Sequence, residues 1–392
     1  MIVGIPAESY PDEQRVAVVP SSVPELTKSG LEVLVEKGAG EKAGFSDNEY
    51  EKKGANVVSD RKQLFLKSDI VLRIHVIGEN TYHNELELFQ PGQVAIGLLN
   101  PLTRPELSKE LAQRNITAFA LELLPRITRA QPMDVLSSMA TIAGYKAVLI
   151  AATALKKMFP MMITAAGTIT PAKVFVIGAG VAGLQAIATS KRLGAVVQAY
   201  DIRPSVKEQV QSLGAKFVEL GLETKEAETS SGYARDMGED FYRRQREMIN
   251  NVVAESDVVI TTASIPGRRA PVLITKDMIH NMKPGSVIVD MAAETGGNCE
   301  VTKPGEKIEL NGVTIFGPLN LASTVPFHAS SMYSRNITAF VKNLLRNGKL
   351  SINLEDPIIH DTLVTQGGEV VNPMVRTLLG LPAKSPEGKD NQ

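Results

Sequence analysis

The stretch KVFVIGAGVAGLQAIATSKRLGAVVQAYD, residues 173–201, constrains the fold more than any other part of the chain. An apolar run over 174–177 meets Gly178, Gly180 and Gly183 in a G-x-G-x-x-G spacing, and a helical pattern follows. A second apolar run, AVVQAY, then ends on Asp201. Glycines so placed permit a tight strand-to-helix turn and let a pyrophosphate approach the backbone N–H groups of the helix N-terminus. An acidic residue about twenty positions on accepts a hydrogen bond from a ribose 2′-hydroxyl. The stretch therefore predicts a parallel βαβ unit that binds a dinucleotide. Asp201 favours NAD over NADP, because a carboxylate repels a 2′-phosphate; Arg203 pulls the other way, being the kind of residue that accepts one.

At 392 residues the chain has room for two domains, each with its own core. From the N-terminus, IVGIP, LEVLVEKG, DIVLRIHV and TAFALE read as strands. SSVPELTKSG, FSDNEYEKKG and ELSKELAQRN read as helices between them, the first with a serine N-cap and Gly30 past its end. Strands separated by single helices imply parallel βαβ units in a doubly wound sheet. A long helical pattern, 134–158, connects this series to a second one that begins at KVFVIGAG and runs to VTIFGP, 313–318. Between them, PMMITAAGTITPAK carries a hairpin signal. A later pattern, SSMYSRNITAFVKNLLRNG, places Ile337, Phe340, Val341, Leu344 and Leu345 at helical spacing and is read as returning the chain to the first lobe. The fold class is thus α/β, with two Rossmann-like doubly wound parallel-sheet lobes joined by long helices. The first lobe is expected over 1–136 plus 330–392, and the second over 137–329. The polar tail PAKSPEGKDNQ is expected to be disordered.

Charge excludes some functions. Forty-two Lys and Arg against 43 Asp and Glu leave a net charge of −1, which is no footprint for nucleic acid. The best apolar run, AVLIAATAL, meets Lys156 and Lys157 before it reaches spanning length, and the acidic N-terminus is not that of a secretory leader. The single cysteine, Cys299, cannot form an internal disulfide, so a reducing compartment is expected.

Two polar stretches stand out. PRITRAQPMDVLSS, 125–138, gathers two arginines, a glutamine, an aspartate and serines where the long helix opens. ETKEAETSSGYARDMGEDFYRRQREM, 223–248, is a polar insertion between strand and helix whose Ser-Ser-Gly-Tyr centre suits a mobile flap. The loops after SDVVIT and after GSVIVD lie where doubly wound sheets bind ligands, although taken alone they read as structural. Groups built to move protons are missing. Oxidising a C–OH or C–NH₂ carbon releases a proton with the hydride and needs an acid or base. The five histidines, His75, His83, His280, His328 and His360, are scattered; no Cys/His cluster suits a metal, and no lysine is marked out for a Schiff base.

The segments GIPAES…DEQRVAVVP, PRITRAQPMDVLSS, IAGYKAV, VIGAGVAGLQAI and GSVIVDMAAETGGNCE together resemble the alanine dehydrogenase/transhydrogenase superfamily over most of the chain. Within it the chain is similar to the NAD(H)-binding soluble component (domain I, alpha-1 type) of proton-translocating NAD(P) transhydrogenases. The RxxRAQxMDxLSS pattern, TPAK before the glycine turn and the SGYA loop carry that likeness. Amino-acid dehydrogenases of the superfamily have a catalytic Lys and His where this chain has His75 and Asn100, while Arg15, their ligand for the substrate carboxylate, is retained.

The resemblance implies hydride transfer between NADH and NADP⁺, which releases no proton at the reacting carbons and asks only that two nicotinamide rings be positioned. It places Arg126, Ile127, Thr128, Arg129, Gln131, Asp134 and Ser137 at the nicotinamide half of NAD(H), with Arg126, Gln131, Asp134, Ser137 and Tyr233 serving transfer itself. Cofactor contacts are implied also for Gly178, Gly180, Val181, Gly183, Asp201, Ile202, Arg203, Gly232, Gln245 and Ile265. Tyr233 becomes the tip of a loop that closes over the nucleotide. A homodimer is implied, held partly by the 160–172 hairpin. So are a separate NADP(H)-binding component and membrane-spanning components that couple transfer to proton translocation. The chain would then lie on the cytoplasmic side, peripheral to the membrane through its partners, with no insertion of its own. Two alternatives stay open: an alanine-type NAD-dependent dehydrogenase with His75 recruited as base, and a non-catalytic NAD-binding sensor.

Overall fold

Six runs near the N-terminus form parallel strands: β1 (Ile2–Ile5), β2 (Glu32–Glu36), β3 (Asn56–Val58), β4 (Ile70–His75), β5 (Val94–Leu98) and β6 (Thr117–Ala120). They lie in the order β3-β2-β1-β4-β5-β6. Val3, Ile5, Ile70, Leu72 and Ile96 enter one core, while Leu34, Val71 and Ala95 enter another. Alternate residues thus serve alternate faces, which is why these strands are mainly apolar, with Arg73 inside β4 as a buried exception. The computed structural model describes residues 1–77, 85–219, 237, 239–264 and 267–382. The chain divides into two compact units, Met1–Met139 with Val325–Gln392, and Ala140–Thr324.

The helix Val23–Lys28 differs from expectation at its start. Ser22 makes no capping bond; a 3-10 turn over Pro20–Ser22 leads into the helix, and the Ser22 hydroxyl accepts from Ser334 Oγ at 2.7 Å. Two consecutive short turns leave no extended residue for a cap to sit on. Gly30 ends the helix with φ +83°.

The long helix runs Val135–Ala154 and ends four residues before the expected limit. By length and composition alone it could cross a membrane, which a search for uninterrupted apolar runs misses because Ser, Thr and Gly residues punctuate it. Ala147, Val148 and Ala151 are fully buried in the core of the second unit. A Cβ on Gly144 would lie 2.1 Å from the Ala182 carbonyl oxygen, so this glycine lets the helix approach its neighbour closely. The following hairpin pairs β7 (Met162–Thr164) with β8 (Gly167–Ile169).

The second sheet comprises β9 (Lys173–Ile177), β10 (Val196–Tyr200), β11 (Lys216–Phe217), β12 (Val258–Thr261), β13 (Val287–Asp290), β14 (Lys307–Leu310) and β15 (Val313–Phe316). Its order is β11-β10-β9-β12-β13-β15-β14, parallel except for β14. In β9, Val174 and Val176 face one core and Phe175 and Ile177 the other. Each such side chain contributes roughly 1.5–3 kcal/mol through burial. Both sheets change direction beside their first strand, β1 or β9, and ligands of such sheets bind beyond the carboxyl ends there.

The polar insertion is shorter than read. Residues 239–248 are not loop but the start of the helix Glu239–Glu255, which buries Tyr242, Ile249 and Val253 on one face. Residues 220–236 and 238, which hold the Ser-Ser-Gly-Tyr centre, lie outside the described residues, as does the tail from 383.

The helix Pro326–Leu344 belongs to the first unit and buries Tyr333, Ile337, Phe340, Val341 and Leu344. Its Ser330 and Ser334 hydroxyls accept from Val16 N and Val19 N, each at 3.0 Å. A small hairpin follows, β16 (Leu345–Arg346) with β17 (Lys349–Leu350). Then β18 (Leu363–Gln366) adds antiparallel to β6, and β19 (Glu369–Val370) to β18, extending the first sheet to eight strands.

Candidate functional site

The candidate residues fall into two sets, one in each unit. In the second unit the three glycines have different reasons to be glycine. Gly178 takes φ +98°, and its carbonyl accepts from Thr262 Oγ1 at 3.0 Å. A Cβ on Gly183 would stand 1.8 Å from the Gly178 carbonyl oxygen, so strand and helix could not meet. Gly180 is extended, with φ −73° and ψ −168°, and the nearest atom to a Cβ there would be Arg203 Nη2 at 3.8 Å. Neither backbone nor packing demands a glycine at 180. The space a Cβ would fill lies at the N-terminus of the helix Val181–Arg192, where unsatisfied N–H groups favour an anion. That cradle fits a dinucleotide pyrophosphate.

Gly180→Ala should therefore fold with an unchanged melting temperature and lose more than about tenfold in NADH affinity, measured by calorimetry. A lowered melting temperature with affinity intact would instead give Gly180 a purely structural role.

Asp201 follows β10 and is buried, accepting from Ala179 N at 2.7 Å and from Arg203 N at 2.8 Å. The Arg203 guanidinium closes on the same carboxylate through Nε at 2.9 Å and Nη2 at 2.8 Å. Val181 is exposed at the first helical position, and Ile202 packs partly buried against the core. Gln245 lies within the helix Glu239–Glu255, 1% exposed, with its Oε1 unpartnered among the described residues. Gly232, Tyr233 and Ile265 lie outside the described residues.

In the first unit, residues 128–133 form a 3-10 helix around Pro132, anchored by buried Ala130 and Met133 and by Asn336 Nδ2, which donates to the Pro132 carbonyl at 2.7 Å. The anchoring holds Arg126, Ile127, Thr128, Arg129 and Gln131 at the surface. Three members of the cluster also serve the fold. Asp134 accepts from Ser137 N at 2.9 Å and from Ser137 Oγ at 2.5 Å, capping the helix that starts at Val135. Arg129 makes a bidentate pair with Asp356 and holds its carboxyl down at about 2. Gln131 has no side-chain hydrogen bond to any described residue, so its amide is available.

A second constellation in this unit joins Arg15, His75 and Asn100, which the sequence marks one at a time, to Glu13, Arg73 and Glu122, which it does not. Arg15 donates to Glu13 through Nε at 2.7 Å and Nη2 at 2.6 Å, and His75 Nε2 lies 3.3 Å from the same carboxylate. Tyr10 stacks on the His75 ring at 4.2 Å. Burial would raise the Glu13 carboxyl, but the hydrogen bonds from Arg15, with the His75 ring beside it, hold it far below the usual carboxylate range. Nearby, fully buried Arg73 donates to Glu85 at 2.7 Å, the Val76 carbonyl at 3.0 Å and Ser9 Oγ at 2.8 Å. Glu122 accepts from Leu99 N at 2.7 Å and from Asn100 N, and Asn100 is held at φ +52°. The available signal was Arg73 itself, a charge inside the apolar run DIVLRIHV.

Comparison with known proteins agrees with this geometry. The family described as Alanine dehydrogenase/PNT, N-terminal domain matches residues 4–143, and Alanine dehydrogenase/PNT, C-terminal domain matches 147–373. The first part of NAD(P) transhydrogenase subunit alpha of Rhodospirillum rubrum is 45% identical over 379 residues, covering 95% of this chain and 98% of the relative. The crystal structure of transhydrogenase from Sinorhizobium meliloti is similar with a TM-score of 0.84 and 44% identity, covering 95% of this chain and 100% of that one. Alanine dehydrogenase of Bacillus subtilis is more distant, 29% identical over 395 residues, 97% of this chain and 95% of the relative. The chain belongs to the alanine dehydrogenase/PNT family, and within it stands with the NAD(P) transhydrogenase alpha subunits.

Proposed function

We propose that this chain is the NAD(H)-binding component of a Re/Si-specific, proton-translocating NAD(P) transhydrogenase, passing a hydride between NADH and NADP⁺ held by a partner component. One observation carries the choice over amino-acid oxidation. Arg15, which would bind a substrate carboxylate in a dehydrogenase, is already occupied in bidentate fashion by the chain's own Glu13. A substrate carboxylate would have to share the guanidinium with a buried internal carboxylate that already holds its Nε edge. Hydride transfer between two nicotinamides has no use for such a site or for a proton-moving group.

Bound NAD(H) supplies the hydride chemistry; the chain supplies position. The glycine turn and the helix Val181–Arg192 would hold the pyrophosphate, and Asp201 the adenosine ribose. Arg126 and Gln131 would donate to carboxamide, ribose or phosphate oxygens, while Asp134 and Ser137 would accept from ribose hydroxyls or the carboxamide NH₂. A homodimer is part of this reading, supported by a hairpin that belongs to no larger sheet and exposes Met161, Met162 and Ile163. Membrane-spanning partners would couple transfer to proton movement and hold the chain at the cytoplasmic face.

The test combines binding with two absorbance assays. NADH should bind at least about tenfold more tightly than NADPH, a gap of roughly 1.4 kcal/mol. With an added NADP(H)-binding component, NADH should reduce a nicotinamide analogue of NADP⁺, whereas alanine plus NAD⁺ should yield no NADH. Alanine-dependent NADH formation would restore the dehydrogenase; binding without transfer would leave a sensor.

A further inference from the structure

Asp201 is the residue to which the adenosine ribose is assigned, yet its carboxylate has no acceptor position to spare. Its Oδ2 accepts from Ala179 N and Arg203 Nη2, and its Oδ1 from Arg203 N and Arg203 Nε. An ionised carboxylate offers about four lone-pair sites, and four donors fill them. A ribose hydroxyl can join only by displacing one. Two of the four are backbone N–H groups fixed by the strand end and the glycine turn. The other two belong to one side chain that can rotate away. The Arg203 Nη2 also lies nearest to the space left open at Gly180, 3.8 Å from a Cβ placed there, so the guanidinium borders the phosphate cradle as well.

We propose that Arg203 is an internal competitor for the adenosine site: its guanidinium closes on Asp201 in the free protein, and the ribose 2′-hydroxyl of NAD(H) displaces it. The inference rests on the NAD(H)-binding reading and deepens it by naming a residue that sets specificity. The hydroxyl can replace the guanidinium because it brings its own proton to donate to the carboxylate. The 2′-phosphate of NADPH cannot do so, since it presents negative oxygens to a negative acceptor. Closure of the pair thus lowers affinity for a nucleotide whose 2′-hydroxyl must displace the guanidinium, by the closed fraction.

Arg203→Met keeps the length and apolar stem of the side chain, retains the backbone N–H to Asp201, and removes the competing fork. Titration calorimetry on the full chain should show NADH and 5′-AMP binding about tenfold more tightly than to the wild type, as expected when a closed state of about 90% is abolished. Nicotinamide riboside, which lacks both the adenosine and the phosphates, should bind unchanged. NADPH should bind no more tightly, because Asp201 now faces the phosphate without a neutralising partner. Arg203→Lys, with a single charged donor in place of the fork, should fall between wild type and Arg203→Met. If the methionine variant does not fold, as judged by thermal melting, the lysine variant decides by the same comparison. Equal or weaker NADH binding by the folded variants would overturn the competitor role and leave the function reading standing. A wild-type chain that does not bind NADH in the same titration would sink the reading itself.

Discussion

Arg73→Met should lower the stability of the folded chain by about 3–5 kcal/mol at neutral pH, the usual cost of breaking a buried ion pair by removing one partner. Methionine matches the length of the stem, so lost packing is not the main effect. The variant leaves Glu85 and Glu8 in the interior without the guanidinium that lies 2.7 and 3.4 Å from them. Arg61 still reaches Glu85 at 2.6 Å, but Glu8 retains no arginine within such a distance among the described residues. Burial already raises the Glu8 carboxyl, and Arg73 is the strongest influence opposing that rise. Without Arg73 the native state binds protons that the unfolded state has released, so stability falls as pH rises through the carboxylate range and above it. The deficit against wild type should accordingly be smaller at pH 5 than at pH 8. Adding Glu8→Gln should recover part of it, because the uncompensated charge is then gone. Denaturant titration at the two pH values checks all three statements. A loss below about 1 kcal/mol, independent of pH, would mean that the network is wet and screened.

That network also marks where sequence reading stops. The two doubly wound sheets were legible because their signal is local: strands buried on both faces read as mainly apolar runs, and Gly30 or the glycine turn punctuates them within a few residues. The edge strands were not legible. β3, β11, β16, β17 and β19 hold two or three residues each, too few for a period, and β14 and β18 join their sheets antiparallel by contacts that no spacing encodes. Arg15 and His75 were singled out one at a time, whereas Glu13, which joins them, carries meaning only once the turn after β1 brings the three side chains together. The glycine fingerprint behaved in a similar way. Its three glycines look equivalent in the sequence, and only the space around each separates Gly183, required by packing, from Gly180, which packing leaves free.

Gln131→Asn should cut hydride transfer on the order of a hundredfold while NADH affinity falls only a few-fold. The asymmetry follows from how the work is divided. The glycine turn and Asp201 would anchor the adenosine half whatever happens at residue 131, so most of the binding remains. Transfer instead requires the two ring carbons at about 3–3.5 Å, and a displacement of about 1 Å suffices for a loss of that size. Asparagine keeps the amide and shortens its reach by one methylene, which separates position from chemistry. Gln131 suits the test better than its neighbours. Asp134 and Ser137 cap the long helix and Arg129 pairs with Asp356, so removing any of these disturbs the fold. Gln131 is exposed and has no side-chain hydrogen bond to a described residue, so the melting temperature should stay within about a degree of wild type. Single-turnover transfer to a saturating NADP(H)-binding component reads the first effect and calorimetry the second. Transfer at the wild-type rate would remove Gln131 from the positioning of the nicotinamide. Equal losses in binding and transfer would make it a general ligand for the nucleotide, with no special hold on the ring.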